Sequence, residues 1–146
     1  MKGNYIHTEF KSCPENEKLA RQLVAHFVAD LNPSLDELCD IKTAVSEAVT
    51  NAIIHGYKNR DGVVYLYAES YDGEILIEIA DKGCGIADVE TARQPLFTSQ
   101  PEMERSGMGF TVMETFMDSL EVHSKPDFGT KIIMRKTIGK NDGFRD

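Results

Sequence analysis

The stretch that decides the fold is Glu47-Ala48-Val49-Thr50-Asn51-Ala52-Ile53-Ile54-His55-Gly56. Its apolar residues recur at intervals of three and four, which predicts an amphipathic helix that ends near Gly56. Glu47 and Asn51 are four residues apart, so a helix places their side chains together on one flank, beside the apolar face. A carboxylate can take a proton from a nucleophile, and an amide oxygen can bind a hard cation such as Mg²⁺. A solvated helix flank carries the same residue types, so the pair alone does not decide between the two interpretations.

Two glycine motifs follow this helix, Asp81-Lys82-Gly83-Cys84-Gly85 after a β-rich run and Arg105-Ser106-Gly107-Met108-Gly109 before a helical pattern. A carboxylate at a strand end can accept a hydrogen bond from the amine of adenine, and glycines let the backbone bend past the base. Free amides at a helix start, with the Arg105 guanidinium, suit phosphate oxygens. Each motif also occurs as an ordinary turn or helix entry.

The remaining patterns predict the element order β-α-α-β-β-lid-α-β-β. Ser12 with Glu15, and Ser34 with Glu37, have the spacing of helix capping boxes. The Asp72-Gly73 dipeptide predicts a tight hairpin. Hairpin-joined strands with grouped helices favour an α+β two-layer sandwich over a doubly wound parallel sheet. The predicted strands are 6–10, 63–70, 74–80, 120–124 and 130–136. The predicted helices are 15–31, 35–56 and 110–117, and a helical turn is predicted at 89–93. In the first helix, the predicted core positions run from Leu19 to Leu31.

The domain organisation follows from length and pattern. The 146 residues suffice for one domain with a proper core. We expect a single domain over 1–137, a lid at about 81–106 because a long irregular connection is usually functional, and a polar, frayed tail over 138–146.

Composition excludes several classes of protein. A formal net charge of −8 with no Lys/Arg run argues against direct nucleic-acid binding. The three cysteines and four histidines are dispersed, which argues against a disulfide framework and a zinc site. No run approaches the roughly 20 apolar residues of a membrane span, and no signal-peptide core follows Met1. We therefore expect a cytoplasmic protein with protein or small-molecule partners.

Taken together, the motifs resemble the nucleotide-binding boxes of the GHKL superfamily, which includes gyrase, Hsp90, histidine kinases and MutL. Residues 47–56, 81–85 and 105–109 are similar to the first, second and third box, and Gly129-Thr130 matches the terminal Gly-Thr element. Within the superfamily the chain most resembles the small anti-sigma-factor serine kinases of sporulating bacteria. The similarity includes the segments 45–57, 93–98 and 105–110 and leaves out only the last ten or so residues.

The resemblance implies a Bergerat-type sandwich, with helices on one face of a mixed, mostly antiparallel sheet, that binds ATP or ADP with Mg²⁺. It implies Glu47 as general base and Asn51 as Mg²⁺ ligand, with Asp81 as the adenine contact supported by Thr130. The other nucleotide-binding residues that it implies are Gly83, Gly85, Arg105, Ser106, Gly107 and Gly109.

The resemblance also implies partners. A sigma factor would be held inactive, an anti-anti-sigma protein would be phosphorylated on serine, and the chain would form a homodimer. Glu17 and Arg21, on the exposed side of the first helix, match positions that look like partner contacts, although a solvated charged face would carry the same residues.

Three other functions compete with the serine kinase. An ATP-driven clamp needs a second domain, for which 146 residues leave no room. A detached histidine-kinase catalytic domain needs a phosphoacceptor histidine on a dimerisation helix, and none of the four histidines fits. A GHKL ATPase or nucleotide-dependent binding module without protein kinase activity stays the main alternative, although intact Glu47, Asn51 and Asp81 argue against a degenerate site.

Overall fold

The computed structural model describes residues 3–94 and 109–139. Its strands are β1 (Asn4–Lys11), β2 (Val63–Tyr71), β3 (Glu74–Asp81), β4 (Ser119–Lys125) and β5 (Gly129–Thr137). Its helices are α1 (Glu15–Val28), α2 (Leu35–Thr50), α3 (Val89–Ala92) and α4 (Gly109–Phe116). The strands form one sheet in the order β1-β2-β3-β5-β4, and each of these four pairings is antiparallel. The predicted α+β sandwich and the predicted order of helices and strands are confirmed, and the described strands pair only antiparallel where the resemblance implies a mixed sheet.

The core lies between one face of the sheet and the helices. Alternate residues of the central strands are buried, as in Ile75, Ile77 and Ile79 of β3. Because side chains alternate across a strand, this pattern places one face of the sheet against the helices. Helix α2 packs between α1 and α4, so its apolar stripe is enclosed on three sides. Among the described residues, no helix is both long and apolar enough to cross a membrane.

The start of α2 confirms the second predicted capping box. The Ser34 hydroxyl accepts a hydrogen bond from the Glu37 amide at 3.0 Å, and the Glu37 carboxylate accepts one from the Ser34 amide at 2.9 Å. The second carboxylate oxygen of Glu37 accepts the Gly139 amide at 2.7 Å, which ties the residues just after β5 to the start of α2. The first two residues of the predicted frayed tail, 138 and 139, are therefore held to the domain. This buried glutamate therefore fixes the helix entry locally and across the chain.

The end of the long helix changes its geometry. The segment Asn51–Gly56 forms a π-helical turn, in which the Tyr57 amide donates to the Ala52 carbonyl five residues earlier at 2.9 Å. The predicted end near Gly56 is confirmed, and the wider turn is a feature that apolar periodicity does not indicate. Such turns interrupt α-helices at a cost and are frequent at functional sites.

Two predictions near α1 are wrong. Ser12 forms no capping box with Glu15, because its hydroxyl donates to the Arg60 carbonyl at 3.0 Å and α1 begins without a side-chain cap. Leu19 is not a core residue, since 55% of it is exposed while Ala20 and Val24 are buried. The buried stripe of α1 is therefore narrower than the apolar pattern of the sequence.

The two hairpins are as predicted. Asp72 and Gly73 join β2 to β3 with φ angles of 53° and 82°, the left-handed conformation that a tight turn requires. Residues 126–128 join β4 to β5 and place Ser124 opposite Thr130. The described part of the predicted lid includes α3 at the position where a helical turn was expected.

Candidate functional site

Glu47 and Asn51 lie together on one flank of α2, as predicted. The backbone N–H of Asn51 donates to the backbone carbonyl of Glu47, so the chain is still α-helical between these residues. Their side chains therefore share a face. Both residues are half-buried. Asn51 is the C-cap of α2 and the first residue of the π-helical turn, so the turn begins at the second member of the pair.

Asp81 is the last residue of β3, and its side chain is buried, with 6% of the residue exposed. The Gly83 amide donates to its Oδ1 at 2.9 Å. On its other side lies Gly56, the last residue of the π-helical turn, where an added Cβ would be 2.7 Å from the Asp81 carboxyl carbon. The helix that carries Glu47 and Asn51 therefore ends against the Asp81 carboxylate.

Burial raises the pKa of Asp81 to about 6, and the backbone hydrogen bonds from Gly83 and Thr130 only partly oppose this rise. Desolvation disfavours the charged carboxylate because the interior solvates it less well than water does. A buried carboxylate with a raised pKa at a strand end is a candidate binding group, although the hydrogen bonds from Gly83 and Thr130 also give it a structural role.

This shift gives a prediction for the nucleotide-free protein. The unfolded chain has the ordinary value of 3.8 and the folded chain about 6, so ionised Asp81 costs stability above the folded pKa and the cost disappears as pH falls. We expect the free energy of unfolding of the wild type, relative to Asp81→Asn, to rise by about 1 kcal/mol from about pH 7.5 to about pH 5. Urea unfolding of both proteins at the two pH values measures it. A pH-independent difference would contradict the desolvation of Asp81.

The glycines of the second motif allow close approach of other parts of the protein backbone. A Cβ on Gly83 would overlap the Gly56 carbonyl group, and a Cβ on Gly85 would overlap the Lys125 carbonyl. The sequence-based explanation, that these glycines leave room for a base, is thus incomplete because protein atoms already fill the space. Gly129 has a φ of 102°, and its missing side chain leaves room for the Asp81 carbonyl. Strand β3 therefore ends in a turn that only glycines allow.

We expect Gly83→Ala to destabilise the fold by about 1–3 kcal/mol, because the added methyl must displace backbone rather than a flexible side chain. Thermal unfolding measures the loss. Gly73→Asn is the matched control, since a Cβ there meets nothing within 4 Å and asparagine tolerates its left-handed φ. Equal stability of Gly83→Ala and the wild type would contradict the close approach of the Gly56 carbonyl.

Thr130 lies beside Asp81, as predicted. The two residues are paired in the β3–β5 register, and only 4% of Thr130 is exposed. The Thr130 hydroxyl is 2.8 Å from the Ser124 hydroxyl. The Ser124 hydroxyl accepts a hydrogen bond from the Ile86 amide at 2.7 Å and donates to the Gly129 carbonyl at 3.0 Å. Ser124 therefore joins Thr130 to the loop that follows Asp81.

The third motif is only partly described. Arg105, Ser106 and Gly107 lie outside the described residues, as does the part of the predicted lid from 95 to 106. Gly109 is the first residue of α4, which packs along α2. Arg93, at the end of α3, forms an ion pair with Glu114 of α4, so the segments on either side of this gap are held together.

The predicted partner contacts form a pair of their own. Arg21 Nε lies 2.6 Å from Glu17 Oε2 on adjacent turns of α1. The arginine side chain is 32% exposed and the glutamate side chain 22%. The two charged side chains therefore form an ion pair on a half-buried flank of α1. They are less exposed to solvent than the predicted position on the exposed side of the helix implies.

The sequence motifs did not single out three residues around Asp81. Gly56 belongs to the first motif but had no role there, and Ser124 could have been found only from the register of the β4–β5 hairpin. The Tyr57 hydroxyl donates to the Val63 carbonyl at 2.6 Å and accepts the Lys82 amide at 2.7 Å. No periodicity or motif indicates these contacts, because one joins residues six positions apart across an irregular loop and the other joins residues 25 positions apart.

The fold and the arrangement of these residues define a histidine kinase-like ATPase domain, and the family model of that description matches residues 10–136. Among solved structures, the RsbU and RsbW domains of a Mycobacterium tuberculosis protein match 92% of this chain and 32% of that chain, with a TM-score of 0.66 and 17% identity. The catalytic domain of histidine kinase ThkA matches 91% of this chain and 96% of its own, with a TM-score of 0.58 and 15% identity. Both likenesses concern the fold alone.

Curated relatives narrow the family. An anti-sigma F factor of Clostridium perfringens is 60% identical over 92% of this chain and 97% of its own length. One of Clostridium beijerinckii is 58% identical over 93% of this chain and 96% of its own length. The chain belongs to the family of the anti-sigma F factors.

Proposed function

We propose that the chain binds ATP with Mg²⁺, transfers a phosphoryl group to a serine of a protein partner, and holds a sigma factor inactive. The observation that carries the proposal is the buried Asp81 carboxylate, which lies against the end of the helix that bears Glu47 and Asn51. A group suited to an adenine amine thereby lies at the end of the helix that carries groups suited to a proton and a metal ion.

The residues present fit a nucleotide. Asp81 at neutral pH is an acceptor without a donor of its own, which suits the exocyclic amine of adenine and not the 6-oxo group of guanine. Thr130, next to it, carries a hydroxyl that Ser124 holds in place. In the proposal Gly83 and Gly85 shape the turn beneath the base, and Arg105, Ser106, Gly107 and Gly109 bind the phosphates.

The chemistry needs one base and one metal ligand. When bound, ATP supplies the phosphoryl group, and Mg²⁺ offsets the charge of its phosphates. Glu47 accepts the proton of the incoming serine hydroxyl, and the Asn51 side-chain oxygen would hold Mg²⁺. Their adjacency on one helix flank keeps the base next to the metal ligand without a separate scaffold.

The partners rest on family membership. The relatives carry the name anti-sigma F factor, which supports sigma F as the factor that this chain inhibits. In the proposal, the serine substrate is an anti-anti-sigma factor. In this proposal the protein is a cytoplasmic homodimer of one domain over 1–137 with a lid at about 81–106. Glu17 and Arg21 contact a partner from α1, and no role is assigned to residues 138–146.

The test combines transfer and capture. The tagged chain is incubated with γ-labelled ATP, Mg²⁺ and a lysate of its source organism, and the labelled and co-purifying proteins are identified by mass spectrometry. We expect one small protein labelled on serine and a sigma factor among those retained. ATP hydrolysis without any labelled protein would favour the alternative, an ATPase or binding module without kinase activity.

A further inference from the structure

Tyr57 connects three parts of the chain through one hydroxyl group. The residue follows the π-helical turn at the end of α2. Its hydroxyl donates to the Val63 carbonyl at the start of β2, at 2.6 Å, and accepts the Lys82 amide just after β3, at 2.7 Å. Both contacts are made to backbone atoms, so they hold the main chain whatever the side chains of Val63 and Lys82 do.

The Lys82 amide belongs to the peptide group that follows Asp81. The carbonyl of this same peptide group faces Gly129, where an added Cβ would overlap it. The peptide is therefore held by Tyr57 on its N–H side and confined by Gly129 on its C=O side. Because a peptide group is planar, fixing both ends fixes the direction of the bond that leads from Asp81 into the turn.

Other contacts also hold this turn, among them the Cys84 thiol, which donates to the His55 carbonyl at 3.1 Å. The Gly83 amide donates to the Asp81 carboxylate, and the Cys84 amide donates to the Gly56 carbonyl at 2.9 Å. Among the described residues, the Tyr57 hydroxyl is the side-chain group that bonds to the Asp81–Lys82 peptide. Replacing Tyr57 by phenylalanine therefore removes this contact, by deleting one oxygen atom, and keeps the ring.

We propose that Tyr57 is a positioning residue for nucleotide binding: its hydroxyl fixes the Asp81–Lys82 peptide and so aims the Asp81 carboxylate at the base. This inference rests on the proposed function, in which Asp81 contacts adenine. Tyr57 touches neither the nucleotide nor the transferred group in this account. Its effect passes through Asp81 and so falls on affinity and not on the rate of transfer at saturation.

The ring of Tyr57 offers a second, independent perturbation. A Cβ on Gly62 would lie 2.5 Å from a ring carbon of Tyr57. The Gly62→Ala variant therefore keeps the hydroxyl and displaces the ring that carries it. Gly62 does not have a left-handed φ, so alanine adds no backbone strain at this position.

The experiment measures ADP binding by calorimetry for the wild type, Tyr57→Phe and Gly62→Ala. We expect both variants to bind ADP about five- to tenfold more weakly, the size of one or two lost neutral hydrogen bonds. At saturating ATP the turnover of Tyr57→Phe should stay within about twofold of the wild type while its KM rises. Tyr67→Phe is the matched control, since it removes a hydroxyl that bonds Glu69 at 2.5 Å on the face of β2 opposite the buried Leu66 and Ala68; its affinity should be unchanged.

A double substitution separates positioning from general destabilisation. In an Asp81→Asn background, adding Tyr57→Phe should change ADP affinity by less than about twofold, because the aimed group is already lost. Equal fold-changes in both backgrounds, or wild-type affinity in Tyr57→Phe, would overturn the inference alone. A wild type that binds no adenine nucleotide would overturn the proposed function as well. Hydrogen exchange gives a readout that does not depend on binding: the Lys82 amide should lose protection in Tyr57→Phe while the β2–β3 amides keep theirs.

Discussion

Glu47→Gln is expected to lower phosphoryl transfer by about 10²–10⁴-fold, the usual contribution of a general base, while ATP binding stays within a few-fold of the wild type. The amide keeps the size of the side chain and removes its ability to take the serine proton. Glu47→Ala should abolish transfer in the same way. Single-turnover transfer from labelled ATP and nucleotide titration, run on the same preparations, measure the two effects separately.

The matched control for Glu47 is Glu78→Gln. Glu78 is also half-buried, with 29% of its side chain exposed, but it lies on β3 and pairs with Lys131 at 3.9 Å on the sheet face opposite the helices. The control should transfer phosphate at the wild-type rate. Parallel losses of binding and transfer in Glu47→Gln would show that Glu47 holds the nucleotide or the fold and is not the base.

Asp81→Asn is expected to weaken adenine-nucleotide binding by about 1.5–3 kcal/mol, the range for a hydrogen bond to a charged group. The Asp81 carboxylate is buried and accepts a hydrogen bond from the Gly83 amide. The side-chain NH₂ group of the substituted asparagine would therefore face donors, both at Gly83 and on the adenine base. The affinity of the wild type should also fall as pH drops through about 6, where Asp81 becomes protonated. That dependence should be absent in the variant.

Base specificity gives the sharper readout for Asp81. A carboxylate accepts from the 6-amino group of adenine and repels the 6-oxo group of hypoxanthine, whereas an amide can donate to the oxo group. The preference for ADP over inosine diphosphate should therefore shrink or reverse in Asp81→Asn. Asp72→Asn, in the exposed β2–β3 turn, is the control. An unchanged preference in Asp81→Asn would contradict the base contact.

Features set by neighbouring residues could be predicted from the sequence. The Ser34–Glu37 capping box, the Asp72-Gly73 turn and the shared flank of Glu47 and Asn51 each depend on a few consecutive residues with known geometry. The strand-end position of Asp81 follows from alternation that stops at this residue. For these elements, local sequence and tertiary structure favour the same conformation.

Features set by distant residues could not be predicted. The Ser12 hydroxyl bonds the Arg60 carbonyl, 48 residues away, instead of capping α1. The site differs from the prediction for the same reason. Gly83 makes room for Gly56, and Tyr57 holds the Lys82 amide, so the turn after Asp81 depends on the end of α2. Apolar periodicity predicts that α2 is buried but not which of its atoms meet β3.

The central claim is that this chain moves a phosphoryl group from ATP to a serine of another protein. The most direct measurement supplies γ-labelled ATP and Mg²⁺ to the purified chain together with the small protein recovered from the capture experiment, and maps the label. We expect phosphoserine on that partner, no label on histidine of the chain, and labelling at least about 100-fold slower with Glu47→Gln. Release of the label as inorganic phosphate with the partner unmodified would contradict the account.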